Sequence, residues 1–176
     1  NKYLDFIDSR DEDEVQLFFV PNYSCNFACT YCYQDEYTHS KTELTPEIVD
    51  AFFSYIRTEF AARKKYITIF GGEPLLNSPK QKEIISYLLR RATEANLEVC
   101  IVTNGYSLLD YMDILKQASL REIQVTLDGT GSVHDQRRFL KGGGATFEKI
   151  VKGIDACLEN TIPVNLRMVV DKGNIS

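Results

Sequence analysis

Short apolar runs alternate with amphipathic stripes along most of this chain, and this alternation limits its fold more than any other feature. The apolar runs predict five strands, at residues 15–20, 66–70, 99–103, 122–127 and 164–170. Such alternation favours parallel strands joined by right-handed crossovers, either in an open sheet or in a barrel. The sequence therefore predicts an α/β fold with helices covering at least one face of the sheet.

Helical caps and stripes mark the segments between the predicted strands. Thr45 is predicted to cap a helix that starts at Pro46, and Ser107 and Thr146 are predicted to open two later helices. In the first helix the stripe expected to face the core is Ile48, Phe52, Ile56 and Phe60, and Val49 and Phe53 widen this stripe. In the second helix it is Ile84, Ile85, Leu88, Leu89 and Ala92.

The last predicted strand is followed by a loop and not by a helix. Residues 171–176 have the composition of a strand-to-helix connection. We therefore expect a partial (β/α) barrel of parallel strands, truncated after about the fifth strand. Residues 1–176 would form one incomplete domain, and a further C-terminal region would follow in the full-length protein.

Charge and cysteine content exclude several classes of protein. Twenty basic and 25 acidic residues give a net charge of −5, which argues against nucleic acid or an anionic membrane as a partner. Ten Tyr and ten Phe argue against disorder, and no apolar run approaches the ~20 residues of a membrane helix. Five cysteines cannot all pair within one chain, so we expect a reducing, cytoplasmic setting.

Three of the cysteines lie close together after the first predicted strand. Cys25, Cys29 and Cys32 form a C-x3-C-x2-C run, one thiolate short of a closed four-cysteine zinc site. Thiolates are also the usual ligands of a four-iron cluster, in which three cysteines leave one iron open for a non-protein ligand. The alternative is a structural zinc site completed by His39 or by a distant cysteine.

This run, with an aromatic residue before its last cysteine, resembles the radical S-adenosylmethionine (SAM) superfamily, which is built on a partial or full β/α barrel. The resemblance extends from about Asn22 to Val170. It implies a [4Fe–4S] cluster on Cys25, Cys29 and Cys32, with SAM chelating the open iron. In that family, cluster reduction cleaves SAM to a 5′-deoxyadenosyl radical that abstracts a substrate hydrogen.

The second predicted strand ends in Gly71, Gly72, Glu73 and Pro74, which resemble the GGEP motif of the family. Glycines let the backbone approach a ligand closely. A carboxylate with backbone carbonyls can accept hydrogen bonds from the methionyl ammonium of SAM. The resemblance therefore implies that these four residues bind the cofactor, whereas the same four residues in isolation form an ordinary turn.

After the fourth predicted strand, residues 126–138 resemble the S-L-D-G…H-D-x-x-R signature of sulfatase-maturating and other peptide-modifying (SPASM-type) members. The match places the Thr126 hydroxyl at the SAM ribose and Arg138 at the SAM carboxylate. A guanidinium suits a carboxylate because it is always charged and binds in two places. Arg137 is the less favoured of the two arginines, since Arg138 lies in the matching register.

Other residues carry weaker expectations. Asn104 follows the third strand and matches a strand end of the family, although Asn-Gly is also a common turn. Tyr31 is expected beside the adenine of SAM, or else on the surface.

His134 and Asp135 are expected to fix their loop, while Arg167 faces either the barrel interior or the helices. Cys100 and Cys157 are expected to be buried small hydrophobes and not cluster ligands.

The resemblance implies a radical SAM core that modifies a peptide or protein. Its electron donor would be a protein such as a flavodoxin or ferredoxin. A zinc-binding structural module and an enzyme acting on a small metabolite are the alternatives. No general base or radical-relay residue is assigned.

Overall fold

The computed structural model describes residues 2–5, 13–36 and 44–175, and it confirms the predicted alternation of strands and helices. His39, the residue considered as a fourth zinc ligand, lies outside the described residues. The elements, in chain order, are β1 (Val15–Phe19), a 3₁₀ turn (Tyr33–Glu36), α1 (Pro46–Glu59), β2 (Lys65–Ile69), α2 (Pro79–Glu94), β3 (Val99–Thr103), α3 (Leu108–Leu115), β4 (Leu120–Thr126), α4 (Gly131–Arg137), α5 (Phe147–Glu159) and β5 (Val164–Arg167).

The five strands form one parallel sheet in the order β1-β2-β3-β4-β5. Because neighbours in sequence are also neighbours in the sheet, crossovers of one hand bring the connecting helices to one face, as in a barrel. Ile67, Ile69, Ile101, Ile123 and Val125 point toward that face and are fully buried. The α/β partial-barrel prediction is therefore confirmed.

Two helices show how well the stripes predicted the core. In α2 all five predicted residues are buried, and the Ser78 side chain caps the helix by accepting a hydrogen bond from the Gln81 amide. In α1 the predicted cap position is right, and the predicted stripe contains all three buried residues of the helix, but its member Ile48 faces outward. Ile48 is 45% exposed, and the buried face is Val49, Phe53 and Ile56.

The segment after β4 contains a helix that the sequence did not predict. The seven residues of α4 are mostly polar, so they give no apolar stripe, yet His134 within it is fully buried. The last strand is shorter than predicted and ends at Arg167. Beyond it, the Val169 amide donates to the Asp128 carboxylate instead of continuing the strand ladder. Within the described residues, every helix is too short or too polar to cross a membrane.

Candidate cofactor site

Two glycines after β2 allow the loop that follows β1 to approach closely. A Cβ added at Gly72 would lie 2.3 Å from the Ser24 carbonyl oxygen, and one at Gly71 would lie 2.4 Å from that of Asn22. The Gly72 amide donates to the Asn22 carbonyl at 3.1 Å, and the Glu73 amide donates to the Ser24 carbonyl at 2.8 Å. The atoms that these glycines approach are therefore the backbone atoms leading into the cysteine loop.

Glu73 joins the ends of two strands. Its side chain is 1% exposed, and its carboxylate accepts hydrogen bonds from the Leu75 amide (2.8 Å), the Thr103 hydroxyl (2.6 Å) and the Asn104 amide (2.7 Å). Burial raises the pKa of this carboxyl group, and the three donors oppose that shift. Pro74, beside it, is buried and accepts a hydrogen bond from the Gln81 side chain through its carbonyl. Glu73 thus has three partners within the protein itself.

The three loop cysteines are free thiols, each partly buried. Burial raises the pKa of Cys29 to about 11, while the positive charge of Arg138 lowers it and the other two cysteines raise it further. Burial also raises the pKa of Cys25, whose sulfur accepts hydrogen bonds from the Phe27 amide and the Asn104 side chain. The structure therefore brings the three predicted ligands within electrostatic range of each other.

The cysteine loop is paired with residues 137–141, which comprise the last residue of α4 and the segment after it. The Ala28 amide donates to the Phe139 carbonyl at 2.8 Å, and the Thr30 amide donates to the Arg137 carbonyl at 3.0 Å. The Lys141 amide donates to the Asn26 carbonyl at 2.8 Å, and Phe27 and Leu140 form an antiparallel bridge. These bonds give the loop a defined backbone path.

A closed circuit of hydrogen bonds, which we call the polar ring, surrounds the turn after β4. Its members are Tyr31, Asp128, His134, Thr146 and Arg138. The Tyr31 hydroxyl donates to Asp128 Oδ2 (2.5 Å), and the Asp128 amide donates to His134 Nδ1 (3.2 Å). His134 Nε2 contacts the Thr146 hydroxyl (3.2 Å), which donates to the Arg138 carbonyl (2.5 Å), and Arg138 Nη1 donates to the Tyr31 oxygen (2.7 Å).

The polar ring fixes the protonation of His134. Because Nδ1 accepts from an amide, the ring proton of the neutral imidazole lies on Nε2 and is donated to Thr146. Burial and the nearby charge of Arg138 lower the pKa of His134, which favours this neutral form. Asp135 accepts hydrogen bonds from the amides of Thr146 and Phe147 at the start of α5. The geometry agrees with the expectation that His134 and Asp135 fix the loop.

The two adjacent arginines have different environments, although each is 8% exposed. Arg137 donates to both oxygens of Asp171 (2.9 Å each), to Asp128 (3.3 Å) and to the Val169 carbonyl (3.3 Å). Arg138 makes its hydrogen bond to Tyr31, and its buried Nε has no partner within the described residues. Of the two, Arg138 is therefore the arginine with a buried donor that no described residue accepts, and its assignment to the SAM carboxylate stays a prediction.

Thr126 is the last residue of β4 and pairs with Arg167 of β5. Arg167 Nη1 lies 3.5 Å from Gln124 Oε1, which places Arg167 on the concave face that Thr126 and Gln124 share, and not on the helix face. Asn104, at the end of β3, donates from its side chain to Asn26 at 2.8 Å. Cys100 and Cys157 are buried on β3 and α5, as expected.

Sequence reasoning assigned no role to two residues of this site. Asp128, fully buried, accepts from Tyr31, Arg137 and the Val169 amide, and its position directly after a strand is the signal that could have identified it. Asn22 has buried side-chain nitrogen and oxygen atoms with no partner in the described part of the chain. It lies just before the cysteine loop, and its sequence context gave no signal.

The donor set can be tested against the groups considered from sequence. Among the described residues, no three His, Cys, Asp or Glu side chains are placed to hold a single metal ion. Zinc needs its ligands about 2.0–2.3 Å from one centre, and His39, a ligand of the zinc alternative, lies outside the described residues. A four-iron cluster separates its ligands more widely, and three thiols with a buried, unpartnered Arg138 Nε nearby fit a cluster with an anionic ligand.

The family model of the radical SAM superfamily matches residues 19–174. The chain is 36% identical over 155 residues to a GTP 3′,8-cyclase of Rhizobium leguminosarum, covering 84% of this chain and 41% of that protein. It is also 36% identical over 137 residues to a probable GTP 3′,8-cyclase of Methanococcus maripaludis, covering 77% and 42%. This chain thus spans less than half the length of these relatives.

The fold resembles that of anSMEcpe, solved with bound AdoMet and a Cp18Cys peptide. The TM-score is 0.75 at 23% sequence identity, over 88% of this chain and 43% of that one. At this level of identity the likeness concerns the fold alone. It places the five strands and the helices between them within a known barrel architecture.

Proposed function

The chain belongs to the radical SAM superfamily, and from this premise we propose that it is the core of an enzyme that modifies a peptide or protein. The cofactors of the superfamily are a [4Fe–4S] cluster and SAM. When bound, they supply a 5′-deoxyadenosyl radical that abstracts a substrate hydrogen. The observation that carries the proposal is the grouping of three free thiols beside Arg138 at the carboxyl ends of the strands.

We propose specific tasks for the residues of the site. Cys25, Cys29 and Cys32 would bind the cluster as thiolates, and the guanidinium of Arg138 would bind the SAM carboxylate. Thr126 would contact the ribose and Tyr31 would lie near the adenine. Cofactor contacts of the segment after β2 would come from the backbone of Gly71, Gly72 and Pro74, because the Glu73 side chain is buried and its carboxylate faces three donors within the protein.

The side chains on the concave face of the sheet suit a peptide substrate better than a polyphosphate. On this face β4 and β5 place the carboxylate of Glu122 and the guanidinium of Arg167, with the amides of Gln124 and Asn165 between them. β4 also carries Arg121, whose guanidinium stacks on Tyr66 and is already paired with Glu14. A polyphosphate requires several cationic groups, since each charged oxygen needs compensation when it is buried. A balanced, amide-rich face matches the hydrogen-bonding groups of a peptide.

A nucleotide is the second candidate substrate. It is favoured by the curated relatives, two of which are 36% identical to this chain and are named as GTP 3′,8-cyclases. Groups from outside the five strands described here would then have to supply the positive charge that the polyphosphate needs.

An anaerobic reconstitution with iron and sulfide tests the proposal. We expect about four irons per chain and release of 5′-deoxyadenosine when SAM and a reductant are added. Alanine variants of Cys25, Cys29 and Cys32 should lose the cluster. The matched controls Cys100→Ala and Cys157→Ala should keep it, because these cysteines are buried elsewhere. A cluster that survives all three loop substitutions, or that requires Cys100, would refute the ligand assignment.

The substrate is tested by comparing a peptide library with GTP in the same assay. Stimulated 5′-deoxyadenosine release and a mass change in a peptide would support the first candidate. Turnover of GTP alone would refute it in favour of the second. The same preparations can compare flavodoxin and ferredoxin as electron donors, which we propose on the basis of the family.

We further propose that residues 1–176 form one radical SAM core domain and that the full-length protein contains a further region, since the relatives are more than twice as long. A reducing, cytoplasmic setting is part of the same proposal, because the cluster and its thiolates are sensitive to oxidation.

A further inference from the structure

We propose that Tyr31 is a positioning residue whose hydroxyl sets the Arg138 guanidinium relative to the loop that carries the three cysteines. This role differs from the adenine contact that the sequence predicts for the Tyr31 ring. It rests on the proposed function, because it takes Arg138 as the residue that binds the SAM carboxylate.

Tyr31 belongs to the cysteine loop, since it lies between Cys29 and Cys32 in the chain. Its hydroxyl reaches across to the turn after β4, where it donates to Asp128 Oδ2 at 2.5 Å and accepts from Arg138 Nη1 at 2.7 Å. One oxygen atom therefore connects the cysteine loop to both a buried carboxylate and the guanidinium. Tyr31 and Arg138 lie 107 positions apart in the chain, and their neighbours Thr30 and Arg137 are joined through the backbone, so the hydroxyl adds a side-chain contact to that pairing.

Arg138 depends on this contact for its orientation. The guanidinium lies 5.9 Å from the centre of the Phe27 ring and 6.0 Å from that of Tyr31, distances that allow attraction without a fixed direction. Its Nε is buried without a partner in the described residues. The backbone of Arg138 is held by Thr146, but the side chain beyond it takes its direction from the Tyr31 oxygen.

The donor and acceptor roles in these hydrogen bonds favour the contact between the Tyr31 hydroxyl and Arg138. Asp128 accepts hydrogen bonds from both Tyr31 and Arg137, so the phenol proton points to Asp128 and the phenol oxygen is left to accept from Arg138. Removing the hydroxyl leaves Asp128 with its bonds from Arg137 and Val169. The loss therefore affects Arg138 most, since no other described side chain replaces the hydroxyl as its partner.

The test is the Tyr31→Phe variant, which keeps the ring and removes the hydroxyl. We expect the reconstituted variant to keep about four irons per chain and to bind SAM roughly 5- to 10-fold more weakly, the effect of about one hydrogen bond. The change that SAM causes in the electron paramagnetic resonance spectrum of the reduced cluster should require correspondingly more SAM. Tyr87→Phe is the matched control, because the Tyr87 hydroxyl on α2 also donates to a carboxylate, that of Asp50 on α1. It should bind SAM as the wild type does.

A double-mutant cycle separates positioning from a general effect on the fold. If Tyr31 acts through Arg138, adding Tyr31→Phe to Arg138→Ala should not weaken SAM binding further. Additive losses, wild-type affinity in Tyr31→Phe, or loss of the cluster from that variant would each overturn the proposal. A wild-type protein that takes up no cluster would instead refute the proposed function, on which this role rests.

Discussion

Replacing Gly72 with alanine distinguishes a glycine that shapes the cysteine loop from one that merely faces a ligand. The added Cβ would lie 2.3 Å from the Ser24 carbonyl oxygen and 2.5 Å from two atoms of the Tyr23 carbonyl group. Ordinary contact begins at 3.4 Å, so the loop must retreat by about 1.1 Å or the end of β2 must move. Ser24 immediately precedes Cys25, and the displacement therefore acts on the first cluster ligand.

The expected cost lies at the upper end of the usual range for overpacking. Inserting a methyl group into a packed site costs about 1–3 kcal/mol, and here the obstacle is backbone that two hydrogen bonds hold in place. A loss of about 3 kcal/mol corresponds to a decrease in Tm of roughly 6–12 °C for a chain of this size. Metal–ligand distances tolerate only about 0.2 Å, so cluster uptake should also fall.

The assay combines thermal unfolding of the metal-free protein with iron analysis after reconstitution. Gly131→Ala is the matched control, since the nearest atom to its Cβ would be a Phe147 side-chain carbon at 3.1 Å, which can move. That control should keep nearly the wild-type Tm and a full cluster. Gly72→Ala with wild-type Tm and four irons would show that the contact with Ser24 does not shape the site.

Three further outcomes are expected. Arg138→Ala should weaken SAM binding by about 10- to 100-fold through loss of charge-assisted hydrogen bonds, and unchanged affinity by titration would contradict its assignment. Glu73→Ala should lower Tm, because it leaves three buried donors unpaired and so reduces the free energy of unfolding by roughly 3 kcal/mol or more. A wild-type melting curve would count against this account. Folding lowers the pKa of His134 from 6.5, so His134 binds a proton more readily in the unfolded chain than in the folded one. The folded state should therefore lose stability as pH falls below about 6.5. Melting curves across this range should be less pH-dependent for His134→Gln, and an identical pH slope would refute this.

The sequence predicted elements well where one local signal decided the structure. β3 has its predicted bounds, and α2 buries all five residues of its stripe, because Ser78 and Pro79 define the start of that helix and apolar residues recur at helical spacing. In α1, by contrast, Ile48 and Val49 are equally apolar neighbours. Only packing against the rest of the chain decides which of them faces the core, and it selects Val49.

In the candidate site, too, some features could be predicted from the sequence and others could not. The spacing of the cysteines and the register of Arg138 can be found along the chain, and the structure brings these residues together. The contacts of Glu73 and Tyr31 could not be predicted, because their partners Thr103, Asp128 and Arg138 are 30 to 107 positions away. Such pairings depend on how strand ends meet, which periodicity does not record. The roles of the individual site residues stay predictions.

The backbone bonds between the cysteine loop and residues 137–141 have a consequence for biosynthesis. The loop is translated before these partners, since Arg138 follows Tyr31 by 107 residues. At about 5–20 residues per second, the partners of the loop are translated roughly 5–20 s later. During that interval the three thiols lack the contacts that define their path. We therefore expect cluster delivery to follow synthesis of α4, so that a nascent chain stalled before Arg137 would not retain iron.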